Sequence, residues 1–168
     1  MVNSSRNSNV MTELSILLAD DEEDWFLLMR RAIAKAGIRN LVEHAKDGEG
    51  VIAALKRKLR LDEHDLPLFI LLDLKMPRVD GLTALRWIRN QPQLDKVPVV
   101  VLTASEDDER AREAMQAGAE GYLVKSTDER SITFIYERAG LVRSGKLSRM
   151  GAFAGLPGGR MTELAHAG

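Results

Sequence analysis

Residues 68–81 read LFILLDLKMPRVDG. Five apolar residues stand in a row, Leu68 to Leu72, without the alternation of a half-exposed strand. That pattern predicts a strand buried on both faces, as in a parallel sheet covered by helices. The run ends in Asp73, where a purely structural carboxylate would be a poor choice beside so much apolar surface. Met76-Pro77 then marks a loop, and Asp80-Gly81 marks a helix entry. The segment is thus a strand, an acidic end, a loop and the start of a helix.

The same unit recurs along the chain. Further apolar runs lie at Leu14 to Ala19, Leu41 to Ala45, Val97 to Leu102 and Gly121 to Val124. Between them are helix-spaced stripes: Trp25, Leu28, Met29, Ala32 and Ala36; Val51, Leu55 and Leu59; Ala111, Ala114, Met115 and Gly118. Asp47-Gly48 opens the second helix and Gly37 closes the first. Ser105 with Asp108 and Ser126 with Glu129 have capping-box spacing at the last two helices. Five strands alternating with five helices predict an open parallel α/β sheet with right-handed crossovers. Its binding crevice is expected at the carboxyl ends of the strands, beside a topological switch point.

Composition narrows the chemistry. The chain has 168 residues, 24 Lys and Arg against 25 Asp and Glu, and no Cys. A net charge of −1 argues against a dedicated nucleic-acid binder. The lack of Cys excludes disulfides, thiolate metal sites and a cysteine nucleophile, and suits a reducing cytoplasm. No apolar run approaches the roughly 18 residues of a membrane-spanning helix, and the start lacks a signal-peptide core. A cytoplasmic protein with no membrane partner is therefore expected.

The strand ends carry a consistent set of side chains. Strand one ends in Asp20-Asp21, strand three in Asp73 and strand four in Thr103, and strand five is followed by Lys125. Three carboxylates in one crevice repel by about 1 to 4 kcal/mol per pair at 4 Å, so a cation must offset them. Oxygen-only ligands favour Mg²⁺, or Mn²⁺. Lys125 and the Thr103 hydroxyl would complete a phosphate cradle, and the implied chemistry is a carboxylate accepting a phosphoryl group. Glu22, Glu23 and Asp24 read instead as an acidic first helical turn.

LLADDEED (17–24), LLDLKMPRVDG (71–81), VVLTAS (100–105) and GAEGYLVK (118–125), in that order and spacing, resemble the receiver domain of two-component response regulators. The resemblance covers about residues 13–143. It implies a flavodoxin-like, doubly wound five-stranded sheet in the order 2-1-3-4-5. It makes Asp73 the phosphoacceptor of a histidine kinase or phosphotransfer protein in a phosphorelay. Asp21, Asp73 and the Lys75 backbone carbonyl would ligate Mg²⁺, with Asp20 acting through a metal-bound water. Lys125 would pair with the phosphoryl oxygens, Thr103 would hydrogen-bond one of them, and Tyr122 would be the switch aromatic. Lys75 and Ser105 would flank the phosphoryl group and tune its hydrolysis. One departure stands out: the family usually has Lys-Pro with a cis bond after strand five, and here it is Lys125-Ser126. A cis bond without proline costs about 3 kcal/mol.

Residues 1–12 are expected to be a flexible leader, 13–143 the receiver domain, and 144–168 a flexible tail or short contact arm with no output domain. Phe134 and Leu141 fall on the outer side of the last helix and form a candidate partner or dimer surface, and Trp87 is likewise off its helix stripe. The stretch from Asp47-Gly48 to NQPQLDKVPVVVLTAS (90–105) is similar to stand-alone regulators that accompany bacterial phytochromes, which implies a homodimer and a bacteriophytochrome as donor. The expectation is a signalling protein rather than an enzyme, limited to its own phosphotransfer and autodephosphorylation. Two alternatives stand beside it. One is a phosphorylation-independent pseudo-receiver scaffold, which the complete acidic set argues against and Ser126 leaves open. The other is an Asp-nucleophile phosphohydrolase, which lacks a second carboxylate two residues after Asp73.

Overall fold

The computed structural model describes residues 14–61, 65–105, 108–125, 128–149, 151–154 and 156. In chain order it has β1 (Ile16–Ala19), α1 (Glu23–Lys35), β2 (Val42–Ala45), α2 (Gly48–Leu61), β3 (Phe69–Asp73), α3 (Gly81–Arg89), a 3₁₀ turn (Pro92–Leu94), β4 (Val99–Thr103), α4 (Glu109–Gln116), β5 (Gly121–Val124) and α5 (Glu129–Arg143). The strands form one parallel sheet in the order β2-β1-β3-β4-β5. This is the doubly wound, flavodoxin-like topology expected from the sequence.

Burial on both faces explains the continuous apolar runs. Ile16 and Leu18 face α1 and α5, where Phe26, Met29, Ile132 and Ile135 meet them. Leu17 and Ala19 face α2, α3 and α4, against Val51, Leu55, Leu85, Ile88 and Ala114. Every residue of β3 and β4 is buried. From β2 the chain crosses back over β1 to place β3 on its other side, so the order reverses between β1 and β3. In the register Ala19 lies opposite Leu72, which brings Asp20 and Asp73 side by side at that reversal.

Several helix details differ from expectation. In α1 the buried residues are Phe26, Met29, Ala32 and Ile33, whereas Leu28 is 51% exposed and Trp25 half-buried. Residues 25–29 are all apolar, so their spacing leaves the phase of the helix open, and packing on the sheet selects it. The caps of α4 and α5 are Asp108 and Asp128, which accept from the N–H groups of Arg110 and Arg130. Ser105 lies earlier in its loop, because a carboxylate one residue before the helix already satisfies the free N–H groups. Ser126 and the bond that precedes it fall outside the described residues. Asp47 and Asp80 cap α2 and α3 as expected, through the N–H groups of Gly50 and Thr83, and Gly37 ends α1 with φ of +81°.

Described residues beyond α5 pack back onto the domain. Ala152, Phe153 and Leu156 are buried in the core on the α1/α5 face, with Phe153 wholly inaccessible. Arg149 reaches Glu120, whose carboxylate has a side-chain exposure of only 2%. Arg89 pairs with the same carboxylate at 2.8 Å and also donates to the Gly118 and Val97 carbonyls. Burial pushes the Glu120 carboxyl up, and the two guanidiniums with the Val99 N–H pull against it. The sequence predicts a flexible tail or short contact arm over 144–168; of its described residues, Ala152, Phe153 and Leu156 instead join the core, with Phe153 and Leu156 beside Gly121 of β5, because their apolar side chains find buried surface there. The expected outer pair on α5 is divided. Leu141 is exposed, but Phe134 is half-buried against the core, with the Arg138 guanidinium 5.0 Å from its ring centre. Trp87 is similarly half-buried. Residues 1–13 and 157–168 lie outside the described residues.

Candidate functional site

Three strand ends and their loops build the site. Asp20 and Asp21 follow β1, Asp73 ends β3, and Lys125 follows β5. One carboxylate oxygen from each Asp lies within 4.8 Å of the other two, with Asp20 and Asp73 buried and Asp21 exposed. Asp20 Oδ1 accepts the Glu22 N–H at 2.8 Å. Asp20 Oδ2 is buried and lacks a well-directed hydrogen bond, although the Lys125 ammonium stands 2.8 Å away. Asp73 Oδ1 accepts the Lys75 N–H at 3.0 Å, and its Oδ2 faces Lys125 Nζ at 3.1 Å.

The charges are strongly coupled. Burial pushes the Asp73 carboxyl above its ordinary value and the neighbouring Asp20 charge adds to that, against the Lys75 N–H and Lys125. Burial alone would lower the Lys125 ammonium, but Asp20, Asp73 and Glu22 outweigh it and hold the lysine charged well above the ordinary range. Glu22 lies 3.1 Å from Lys125 Nζ, and the Trp25 ring centre 5.2 Å from it. Both were missed as site residues: an acid in a first helical turn and an apolar residue in a stripe each have a sufficient local explanation.

The acidic loops are braced from below. Gly81 passes so close to the Asp73 carbonyl that a Cβ there would stand well inside van der Waals contact with it. Gly48 is pressed in the same way on the Val79 carbonyl, which accepts its N–H at 2.9 Å. Arg78, in the left-handed region at φ of +63°, reaches back to pair with Asp47. The His44 ring stacks on Phe26 at 3.9 Å, and its Nε2 lies 2.8 Å from the Asp20 carbonyl. The loop after β1 and the loop after β3 are therefore both tied to the β2 end of the sheet.

Thr103 is buried at the end of β4. Its hydroxyl is engaged in the following turn, 2.8 Å from the Ser105 carbonyl and 2.9 Å from Asp108 Oδ2. Tyr122 is 5% exposed, in the core shared with α2, α3 and α4, so its ring is already covered. Of the residues expected at the site, Asp20, Asp21, Asp73 and Lys125 converge; Thr103 and Tyr122 lie on the adjoining strands, opposite Val124 and Val101. Lys75 is exposed beside Asp73, and Phe134 and Leu141 belong to α5.

The cluster fits a hard divalent cation: its donors are all oxygen, and a buried Asp20 oxygen is left without a well-directed donor. Among the described residues no helix is long and apolar enough to cross a membrane.

Comparison with known proteins agrees with this fold. The model of the response regulator receiver domain matches residues 16–137. A probable methanogenesis regulatory protein, FilR2, of Methanothrix harundinacea is 36% identical over 113 residues, 66% of this chain and 70% of its own. The bacteriophytochrome response regulator RtBRR is 34% identical with a TM-score of 0.59, over 67% of this chain and 69% of its own. The phosphorylated cyanobacterial phytochrome response regulator RcpA is 26% identical with a TM-score of 0.61, over 86% and 99% respectively.

Proposed function

From the response regulator receiver family, to which this chain belongs, we propose that it accepts a phosphoryl group on Asp73 from a histidine kinase or phosphotransfer protein. The observation that carries this reading is the Asp73 carboxylate, buried between Asp20 and Lys125 at the end of β3. Receiver domains bind a divalent metal through such an acidic cluster; in this chain Asp20, Asp21, Asp73 and the Lys75 carbonyl would hold Mg²⁺ or Mn²⁺. Bound there, the cation offsets the carboxylate charge and that of the phosphoryl oxygens.

In the transfer an Asp73 oxygen attacks phosphorus while the bond from phosphorus to the donor imidazole nitrogen breaks, its electron pair returning to that nitrogen. Lys125 is already 3.1 Å from Asp73 Oδ2 and keeps its charge, so it can follow the developing negative charge. Thr103 then donates to a phosphoryl oxygen, which requires its hydroxyl to leave the β4–α4 turn. That change of partners biases the face made by α4, β5 and α5, the surface read by a partner or a second copy. Tyr122, packed beneath α4, is the side chain that reports the change. The phytochrome regulators among the similar structures support a light-sensing kinase as donor. On this reading the chain is a cytoplasmic signalling module, limited to its own phosphotransfer and autodephosphorylation, rather than an enzyme turning over external substrates.

The test uses Trp fluorescence in a Trp87→Phe background, which leaves Trp25 beside Lys125 as the reporter. Mg²⁺ with beryllofluoride should change the signal, and Asp73→Asn should abolish the change. A wild-type signal indifferent to beryllofluoride, with no phosphate incorporated from acetyl phosphate, would refute the reading.

A further inference from the structure

Thr103 has one hydroxyl proton, and in this structure that proton is committed to the turn that leads into α4. Its two acceptors are the Ser105 carbonyl at 2.8 Å and Asp108 Oδ2 at 2.9 Å, while the Ser105 N–H donates to the same hydroxyl at 3.2 Å. Asp108 is also the N-cap of α4: its other oxygen, Oδ1, accepts the Arg110 N–H at 3.0 Å. A single carboxylate therefore joins the hydroxyl at the end of β4 to the first turn of α4.

We propose that Asp108 is a positioning residue that holds the Thr103 hydroxyl in the β4–α4 turn until a phosphoryl group competes for its proton. The inference rests on the reading of Asp73 as phosphoacceptor and names a group which that reading does not use. The competition is built into the chemistry. A hydroxyl cannot donate its proton fully to Asp108 and to a phosphoryl oxygen at once, and both acceptors are anionic. Phosphorylation therefore draws the proton from both turn acceptors, the Ser105 carbonyl and Asp108 Oδ2, and leaves the Asp108 carboxylate with the helix cap alone. The site is thereby linked to the start of α4 without any movement of the sheet. The latch lowers the fraction of molecules ready to bind the phosphoryl group, so weakening it should raise apparent affinity.

Asp108→Asn separates the latch from the cap. Asn caps a helix as well as Asp does, through its carbonyl oxygen, while the atom facing Thr103 becomes an NH₂ donor that cannot accept the proton. Asp108→Ser is the second variant: serine caps too, but is too short to span both partners. The readout is a beryllofluoride titration with Mg²⁺ present, followed by Trp25 fluorescence, with helix content from circular dichroism as a fold check. Both variants should bind beryllofluoride about 3- to 10-fold more tightly than the parent, the scale of one charge-assisted hydrogen bond shared with a second acceptor. In a Thr103→Ala background the gain should vanish, because the coupled partner is gone. Unchanged affinity in both variants, or a gain that persists without the Thr103 hydroxyl, would overturn the latch. A parent protein blind to beryllofluoride, or an Asp73→Asn variant that still responds, would instead overturn the phosphoacceptor reading, and the latch with it.

Discussion

Phe153→Ala measures how firmly the segment after α5 belongs to the fold. Phe153 has no accessible surface and packs with Ala152 and Leu156 in the core of the α1/α5 face, against Gly121 of β5. Truncation to alanine removes on the order of 120 Å² of buried aromatic surface, about 3 kcal/mol at ~25 cal/mol per Å². A residual cavity adds to that, and buried Phe→Ala changes cost about 3–5 kcal/mol in general. We expect about 4 kcal/mol, a large share of the roughly 5–15 kcal/mol that holds a domain together. For a chain of this size that lowers the melting temperature by about 8–16 °C. Urea unfolding followed by far-UV circular dichroism is the assay, with Leu141→Ala as a surface reference expected to shift stability by less than about 1 kcal/mol. A midpoint for Phe153→Ala equal to that of Leu141→Ala would mean that residues 151–156 contribute nothing to the folded state, and would refute the packing argument.

Two further outcomes follow from the site. Gly81→Ala drives a Cβ into the Asp73 carbonyl, so it should cost about 1–3 kcal/mol in urea and weaken the beryllofluoride response, whereas a wild-type response would show that the loop yields freely. Lys125 sits above its ordinary value of ~10.4, so its ion pairs contribute fully below that pH and are lost as pH rises through the higher folded-state value. The stability difference between wild type and Lys125→Met, measured without metal, should therefore be constant from neutral pH to about 10 and shrink above it; a difference that grows with alkalinity would contradict the assignment.

Much of the fold was legible because parallel strands covered on both sides must be apolar at every position, as Phe69 to Leu72 and Val99 to Leu102 are. The acidic cluster was legible for a related reason. Parallel strands all end at one edge, so Asp20, Asp21, Asp73 and Lys125 could be assigned to a single crevice from their positions in the chain. Less legible was anything decided by packing between distant segments. The inward face of α1 could not be chosen among the contiguous apolar residues 25–29 until the sheet chose it. The partners of Glu120 come from 31 residues before it and 29 after, a separation that no local pattern encodes. Glu22 carried a satisfactory local explanation and so concealed its approach to Lys125.

Sequence by itself determined the order and type of the elements, the strand ends that carry charge, and the family to which their spacing points. These depend on periodicity and on local rules of capping and burial, which act within a few residues. Tertiary structure alone decided which acceptors face the Thr103 hydroxyl, which acid besides Asp20 and Asp73 meets Lys125, and that Phe153 and Leu156 complete the core. Each of those is a contact made through space, whose geometry exists only once the sheet has brought its strands together.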